Sequence, residues 1–95
     1  MHFLTLNQKM KISVELTFSP LQDDFEPPIM ELIKSLRASG LDVKENALST
    51  QVFGEYHQVM KLLQEKIETA LQAVDHGLLY IKIVKGDRSK YKADF

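Results

Sequence analysis

Residues 47–56, ALSTQVFGEY, decide how this chain folds. A short strand pattern precedes them, a second short strand lies within them, and an amphipathic helix follows directly. Two short strands joined by a tight turn predict a β-hairpin, here with its turn centred on residues 47–48. That turn places Glu45 opposite Thr50. A carboxylate and a hydroxyl then lie side by side on the sheet face that should be apolar.

The flanking segments extend the pattern in both directions. Upstream, residues 11–19 alternate apolar and polar side chains, which is typical of a half-buried strand, and residues 29–36 repeat apolar side chains at helical spacing. The carboxylates at 23–24 are expected to cap this first helix. Downstream, residues 56–74 carry the apolar stripe of a second helix, and residues 78–85 are rich in strand-forming side chains.

The order of elements is therefore β-α-β-β-α-β. With right-handed crossovers, this order predicts a four-stranded antiparallel sheet covered on one face by both helices, the ferredoxin-like arrangement of the α+β class. We expect a ligand-binding domain at residues 10–86. A short N-terminal extension at residues 1–9 precedes it, and a charged C-terminal tail at residues 87–95 follows it.

Composition narrows the classes of function. A chain of 95 residues forms one domain. Its net charge of −1 shows no excess of positive charge of the kind that binds nucleic acid or an anionic membrane. The chain has no cysteine, which excludes disulfides, thiolate metal sites and cysteine nucleophiles. Its three histidines are scattered without the spacing of metal ligands. No apolar run approaches the roughly 20 residues that span a bilayer, and a cytoplasmic location is expected.

The predicted topology brings polar side chains from several elements to one end of the sheet. Ser19 ends the first strand, and Glu45 and Thr50 pair across the hairpin, while Phe18 and Met30 supply apolar walls. Apolar walls with a few placed polar groups are typical of a small-molecule pocket. The carboxylate can accept two donors from an aminopyrimidine-like ring, and the hydroxyl can orient a ring nitrogen. The alternative is that the strand ends fray and Glu45 simply reaches solvent.

The other face of the predicted sheet has no helix to cover it. It carries Phe53, Tyr80 and Val84 among polar side chains. Because a small domain rarely leaves such an apolar patch open, we expect a homodimer or higher homo-oligomer through this sheet face. A solvated face is the alternative. RNA binding there is disfavoured, since the first strand offers hydroxyls and a carboxylate instead of aromatic side chains.

Three segments carry a resemblance to a known family. They are KISVELTFSP at 11–20, GLDV at 40–43 and LSTQVFGEY at 48–56. Together they resemble the YkoF-related family, whose members bind thiamine or its hydroxymethylpyrimidine moiety. The resemblance extends over residues 10–85.

The resemblance implies a non-enzymatic binding protein in thiamine salvage or transport, with no cofactor and with thiamine or the pyrimidine as its ligand. By position, Thr50 matches the family's third-strand threonine, and Ser19 lies where the first-strand pocket residue is expected. A role for Glu45 follows from strand parity alone. Because some family members carry two such domains in one chain, a homodimer of this chain would supply the equivalent assembly.

The sequence is also compatible with other functions on the same fold. One is a ligand-sensing regulatory module that binds amino acids, although the loop at 19–24 lacks the expected glycine. A second is a structural homo-oligomer with a different ligand or none. Catalysis is disfavoured, because an acylphosphatase-like enzyme needs a phosphate-cradling loop and an arginine after the first strand, and this loop has neither.

Overall fold

The computed structural model describes residues 9–95. Its elements are β1 (Lys11–Pro20), α1 (Glu26–Arg37), β2 (Asp42–Glu45), β3 (Thr50–Glu55), α2 (Tyr56–Gln72) and β4 (Gly77–Lys85). The strands form one antiparallel sheet in the order β2-β3-β1-β4. The predicted β-α-β-β-α-β order and ferredoxin-like fold are therefore confirmed. The predicted extension at residues 1–9 lies outside the described residues, apart from Lys9.

The core lies between the sheet and the two helices, and β1 runs through its centre. Ile12, Val14 and Leu16 of this strand are each at most 2% exposed. Their alternation with polar residues puts one apolar side chain under the helices at every second position. The largest fully buried side chains are Ile12, Leu36, Val14, Val52 and Val59. No helix within residues 9–95 is long and apolar enough to cross a membrane.

The first turn of α1 forms without the carboxylate cap that the sequence predicted. Phe25 is the N-cap residue and makes no capping hydrogen bond with its side chain, so the expectation for Asp23 and Asp24 was wrong. The physical reason lies in the next residues. Pro27 and Pro28 occupy the first turn and carry no N–H, so two of the donors that a cap would satisfy do not exist.

The start of α2 is held by a carboxylate. Glu55 ends β3, and its side chain accepts hydrogen bonds from the backbone N–H of His57 at 2.8 Å and of Gln58 at 3.3 Å. These hydrogen bonds, chiefly that from His57, hold the pKa of Glu55 below its ordinary value. The preceding Gly54 lets the helix pack closely, because a Cβ there would lie 3.2 Å from Val59 Cγ2.

We predict that Glu55→Ala lowers the melting temperature and that the loss depends on pH. Because the pKa of the folded state is depressed, the cap stabilises fully above the unfolded value of about 4.3, and this stabilisation disappears as pH falls through the folded-state pKa. Thermal unfolding followed by circular dichroism at several pH values between 3 and 7 measures the effect.

Glu68→Ala is the matched control, because Glu68 lies exposed on the same helix. It should leave the melting temperature nearly unchanged at every pH. An equal loss from both variants, or a loss from Glu55→Ala that is the same at pH 3 and pH 7, would contradict the capping role.

Candidate functional site

The hairpin between β2 and β3 forms as the sequence predicted. Asn46 N–H donates to the Ser49 carbonyl at 3.1 Å, which closes the turn at residues 47–48 and pairs Glu45 with Thr50. No described residue other than glycine has a positive φ, so the turn uses ordinary backbone geometry. The Asn46 side chain stabilises it, because its Oδ1 accepts from the N–H of Leu48 at 2.8 Å and of Ser49 at 2.9 Å.

A cavity of about 250 Å³ lies beneath this turn, between the hairpin, the end of β1 and α1. We call it the hairpin cavity. It is lined by Leu16, Thr17, Phe18, Ile29, Ile33 and residues 46–50. The walls are mainly apolar, and the polar groups belong to short hydroxyl and amide side chains. A small, mostly apolar site with a few oriented polar groups suits a flat, uncharged heterocyclic ring.

Phe18 and Thr50 are the two predicted site residues that line the hairpin cavity. Their side chains come from β1 and β3 and are 6% and 7% exposed. No hydrogen bond joins the Thr50 hydroxyl to any other side chain or backbone group in residues 9–95. Since no fully enclosed polar side-chain atom of those residues lacks a partner, this hydroxyl keeps an accessible surface. It is therefore available to a ligand.

Glu45 pairs with Thr50 as predicted, but it is absent from the cavity lining. Its two carboxylate oxygens accept from Arg37 Nε at 2.5 Å and Arg37 Nη2 at 2.6 Å. The hydrogen bond from Arg37 is the main cause that lowers the pKa of Glu45, and the same pair raises the pKa of Arg37. This two-pronged ion pair ties the last turn of α1 to the base of the hairpin.

Ser19 and Met30 do not converge on the hairpin cavity with the other predicted residues. Ser19 pairs with Leu78 in β4 and points to the face opposite Phe18, because neighbouring residues of a strand alternate between faces. Met30 is 49% exposed, and the neighbouring Ile29 lines the cavity instead. One residue is about 100° of rotation around a helix, which separates these two neighbours.

The open face of the sheet carries a second cleft, which the C-terminal tail helps to form. The chain turns back at Gly86, whose φ is +112°. Ser13 stabilises the turn at Gly86. Its hydroxyl donates a hydrogen bond to the Gly86 carbonyl and accepts one from the Arg88 N–H, each at 2.8 Å. Further along, Lys44 of β2 donates to the Ser89 carbonyl and lies 5.4 Å from the ring centre of Phe53.

This open-face cleft has a volume of about 240 Å³. Its lining comprises Ser13, Val14, Glu15, Gln51, Phe53, Lys82, Val84, Arg88 and Tyr91. In this cleft Lys82 Nζ lies 3.7 Å from Glu15 Oε1. Ser49, which lines the hairpin cavity, donates from its Oγ to Glu15 Oε2 at 2.9 Å. No sequence pattern indicated this cleft, because the tail has no apolar periodicity and its best-defined contacts are made by backbone groups.

A larger groove of about 400 Å³ lies between the two helices. The hydroxyl groups that line it already donate hydrogen bonds to backbone carbonyls. Ser35 donates to the Leu32 carbonyl at 2.7 Å, and Thr69 donates to the Glu65 carbonyl at 3.2 Å. No group of three or more histidine, aspartate or glutamate side chains within residues 9–95 is arranged to hold a metal ion. The hairpin cavity therefore has the stronger case as a ligand site, since its Thr50 hydroxyl remains available.

Solved structures share this fold. A protein of Streptococcus pneumoniae matches with a TM-score of 0.77 and 29% identity over 82% of this chain and 89% of that chain. A Thermotoga maritima protein, provisionally described as a thiamine biosynthesis/salvage protein, matches at 0.71 with 21% identity, over 77% of this chain and 81% of that chain. A hypothetical protein of Methanocaldococcus jannascii matches at 0.68 with 24% identity, over 86% and 84%. These likenesses place the chain in the ferredoxin-like fold class.

The family follows from the sequence. The model of the thiamine-binding protein family matches residues 14–93, and the chain belongs to that family. The matched range includes the hairpin cavity and most of the tail. The resemblance to a thiamine-binding family is thus confirmed. A search of curated proteins found no match.

We predict that Ser13→Ala releases the tail from the open face. The substitution removes two hydrogen bonds from a residue that is 7% exposed, which should lower the free energy of unfolding by about 1–2 kcal/mol. It should also speed tryptic cleavage after Arg88, because proteases cut segments that leave the folded surface. Urea unfolding and timed proteolysis with mass spectrometry measure the two effects.

Ser35→Ala is the control, because that hydroxyl bonds only within its own helix turn. Tail cleavage should proceed in this variant as in the wild type. If Ser13→Ala also left the cleavage rate at the wild-type value, Ser13 would not be what holds the tail.

Proposed function

We propose that this protein binds thiamine, or its hydroxymethylpyrimidine moiety, in the hairpin cavity. The observation that carries the proposal is the Thr50 hydroxyl. It is nearly buried in an apolar cavity, without a hydrogen-bond partner in residues 9–95, in a chain of the thiamine-binding protein family. Because this hydroxyl keeps an accessible surface, a ligand in the cavity can form a hydrogen bond with it directly.

The size and lining of the hairpin cavity favour the pyrimidine end of the ligand. About 250 Å³ is below the usual range for drug-sized ligands and suits one substituted ring, so the remainder of thiamine extends toward solvent. Phe18 supplies an aromatic wall against which the ring can pack. The Thr50 hydroxyl can donate to a ring nitrogen or accept from the exocyclic amine. Because Asn46 uses Oδ1 in the turn, its Nδ2 group is left to donate.

Glu45 takes a supporting role in this proposal. Arg37 already donates to both carboxylate oxygens of Glu45. The two hydrogen bonds that an aminopyrimidine was expected to donate to Glu45 would compete with that ion pair. The ion pair instead fixes the base of the hairpin relative to α1, and these two elements form opposite sides of the cavity. Ser19 and Met30, which lie away from the cavity, have no assigned contact with the ligand.

The proposed role is that of a non-enzymatic binding protein in thiamine salvage or transport, acting in the cytoplasm. The family description, thiamine-binding protein, supports a binding role. The lining of the hairpin cavity carries hydroxyl and amide groups but no charged side chain to act as an acid or base.

We also propose that the protein acts as a homo-oligomer. The expected packing through the sheet face rested on Phe53, Tyr80 and Val84. Phe53 is only 7% exposed within the single chain, whereas Tyr80 is 60% exposed. Of these two aromatic side chains, Tyr80 on β4 therefore offers the larger exposed surface for association.

We predict that Thr50→Val weakens thiamine binding by about tenfold, the equivalent of one lost hydrogen bond. Valine keeps the shape of threonine and removes only the hydroxyl, so the cavity stays filled to the same extent. Isothermal titration calorimetry with thiamine, and separately with hydroxymethylpyrimidine, measures the affinities. Wild-type protein should bind both at one site per chain.

Thr69→Val makes the same chemical change in the groove between the helices and should bind like the wild type. Equal affinities of Thr50→Val and wild type would remove Thr50 from the site. Absence of heat with either compound, on folded wild-type protein, would end the thiamine proposal itself.

A further inference from the structure

The open-face cleft carries more positive than negative charge. Lys82 and Arg88 both line it, and Glu15 is the acidic residue of the lining. Lys44 adds a third cation at the rim, where its Nζ lies 5.4 Å from the ring centre of Phe53. The chain as a whole has a net charge of −1, so this excess of positive charge is local to the cleft.

The cationic side chains of the lining are weakly engaged by the protein itself. Within residues 9–95 the Arg88 guanidinium makes no hydrogen bond and belongs to neither of the two ion pairs. Lys82 Nζ is 3.7 Å from Glu15 Oε1, which is too far for a hydrogen bond. Both side chains can therefore donate hydrogen bonds to an anion in the cleft.

The other acidic residues nearby do not neutralise these cations. Asp42 lies opposite Phe53 on the neighbouring strand β2, and Asp87 accepts a hydrogen bond from the Ser89 N–H at 2.9 Å. Neither carboxylate lines the cleft, and neither forms an ion pair with another residue in the range 9–95.

Aromatic and aliphatic side chains supply the apolar part of the cleft. Phe53 and Val84 flank Ser13 in the sheet, and Phe53 is 7% exposed. Tyr91 lines the cleft from the tail, where its N–H donates to the Arg88 carbonyl at 3.1 Å. One turn of the tail thus brings a phenol ring and a guanidinium group to the same cleft.

We propose that the open-face cleft binds a small molecule in which a phosphate group is attached to a flat ring. A phosphate monoester carries a charge of about −1.5 to −2 at pH 7 and has three acceptor oxygens. Arg88 and Lys82 together match this charge, whereas a carboxylate would leave one of them without a partner. The ring packs against Phe53 and Tyr91, and a volume of about 240 Å³ suits a single ring.

This phosphate site is separate from the hairpin cavity. The two linings have no residue in common, and the proposed ligands differ in charge. Binding at the open-face cleft can therefore be measured without thiamine. It should be unchanged in Thr50→Val, so the failure of either proposal leaves the other standing.

Phenyl phosphate is the probe, and isothermal titration calorimetry at low ionic strength measures its affinity. We expect one site per chain. Inorganic phosphate lacks the ring and benzoate lacks the second charge, so each should bind about tenfold more weakly than phenyl phosphate. Added salt should weaken the binding of phenyl phosphate, because it screens the charges on exposed side chains.

Arg88→Gln and Lys82→Gln should each weaken the binding of phenyl phosphate by about tenfold, the loss of one charge-assisted hydrogen bond. The backbone N–H of residue 88, which donates to Ser13, is retained in the first variant. Lys34→Gln is the matched control. It makes the same change of charge at an exposed position of α1 and should bind phenyl phosphate like the wild type.

Glu15→Gln should have the opposite effect and strengthen binding. The substitution removes the negative charge of the lining, which repels the phosphate and attracts Lys82. Glutamine keeps an oxygen that can accept from Ser49 Oγ, as Glu15 does. Affinity for phenyl phosphate should rise about two- to fivefold, a gain that damage to the fold cannot produce.

Three results would overturn the proposal. Equal affinities for phenyl phosphate and inorganic phosphate would indicate an adventitious anion only. Wild-type affinity in both Arg88→Gln and Lys82→Gln would place the anion elsewhere. Absence of heat with phenyl phosphate, on folded protein, would leave the cleft without this ligand, and a dimeric mass of that sample would then assign the cleft to a second copy of the chain.

Discussion

The pairing of β1 with β3 on one side and with β4 on the other is the constraint on which the remaining structure depends. In this register Ile12, Val14 and Leu16 face the helices, and the polar residues between them face outward. A slip of one residue would exchange the two faces and expose the core. The same pairing places Phe18 in the hairpin cavity and Ser13 under the tail, so both candidate sites follow from it.

Sequence periodicity was sufficient for the fold because the relevant signals are local. The alternation in β1 and the apolar stripe of α2 each report which side of an element is buried, independently of its neighbours. The hairpin register was predictable for the same reason, since a two-residue turn leaves one pairing of Glu45 with Thr50. Once the turn and the two flanking strands were identified, the sheet topology followed from chain connectivity.

The candidate site was only partly predictable, because its details depend on the reach and rotation of side chains. The contact of Arg37 with Glu45 crosses from a helix end to a strand end, and no local pattern encodes it. Met30 and Ile29 are adjacent in sequence, and the rotation of α1 about its own axis determines which of them lines the cavity. The sequence pattern predicts that rotation only approximately. Ser19 is different. The strand parity that puts Phe18 on the helix-facing side puts Ser19 on the open face, and the sequence contained that signal.

The bond between Ser13 and Arg88 spans 75 residues and has a consequence for how the protein is made. A ribosome produces β1 first among the strands and β4 last among them, so the central strand lacks one of its two neighbours until β4 has been made. Contacts this distant in sequence form late and slowly. The sheet can therefore close only after β4 has been made. Until then the apolar face of β1 depends on the hairpin and the helices alone for cover.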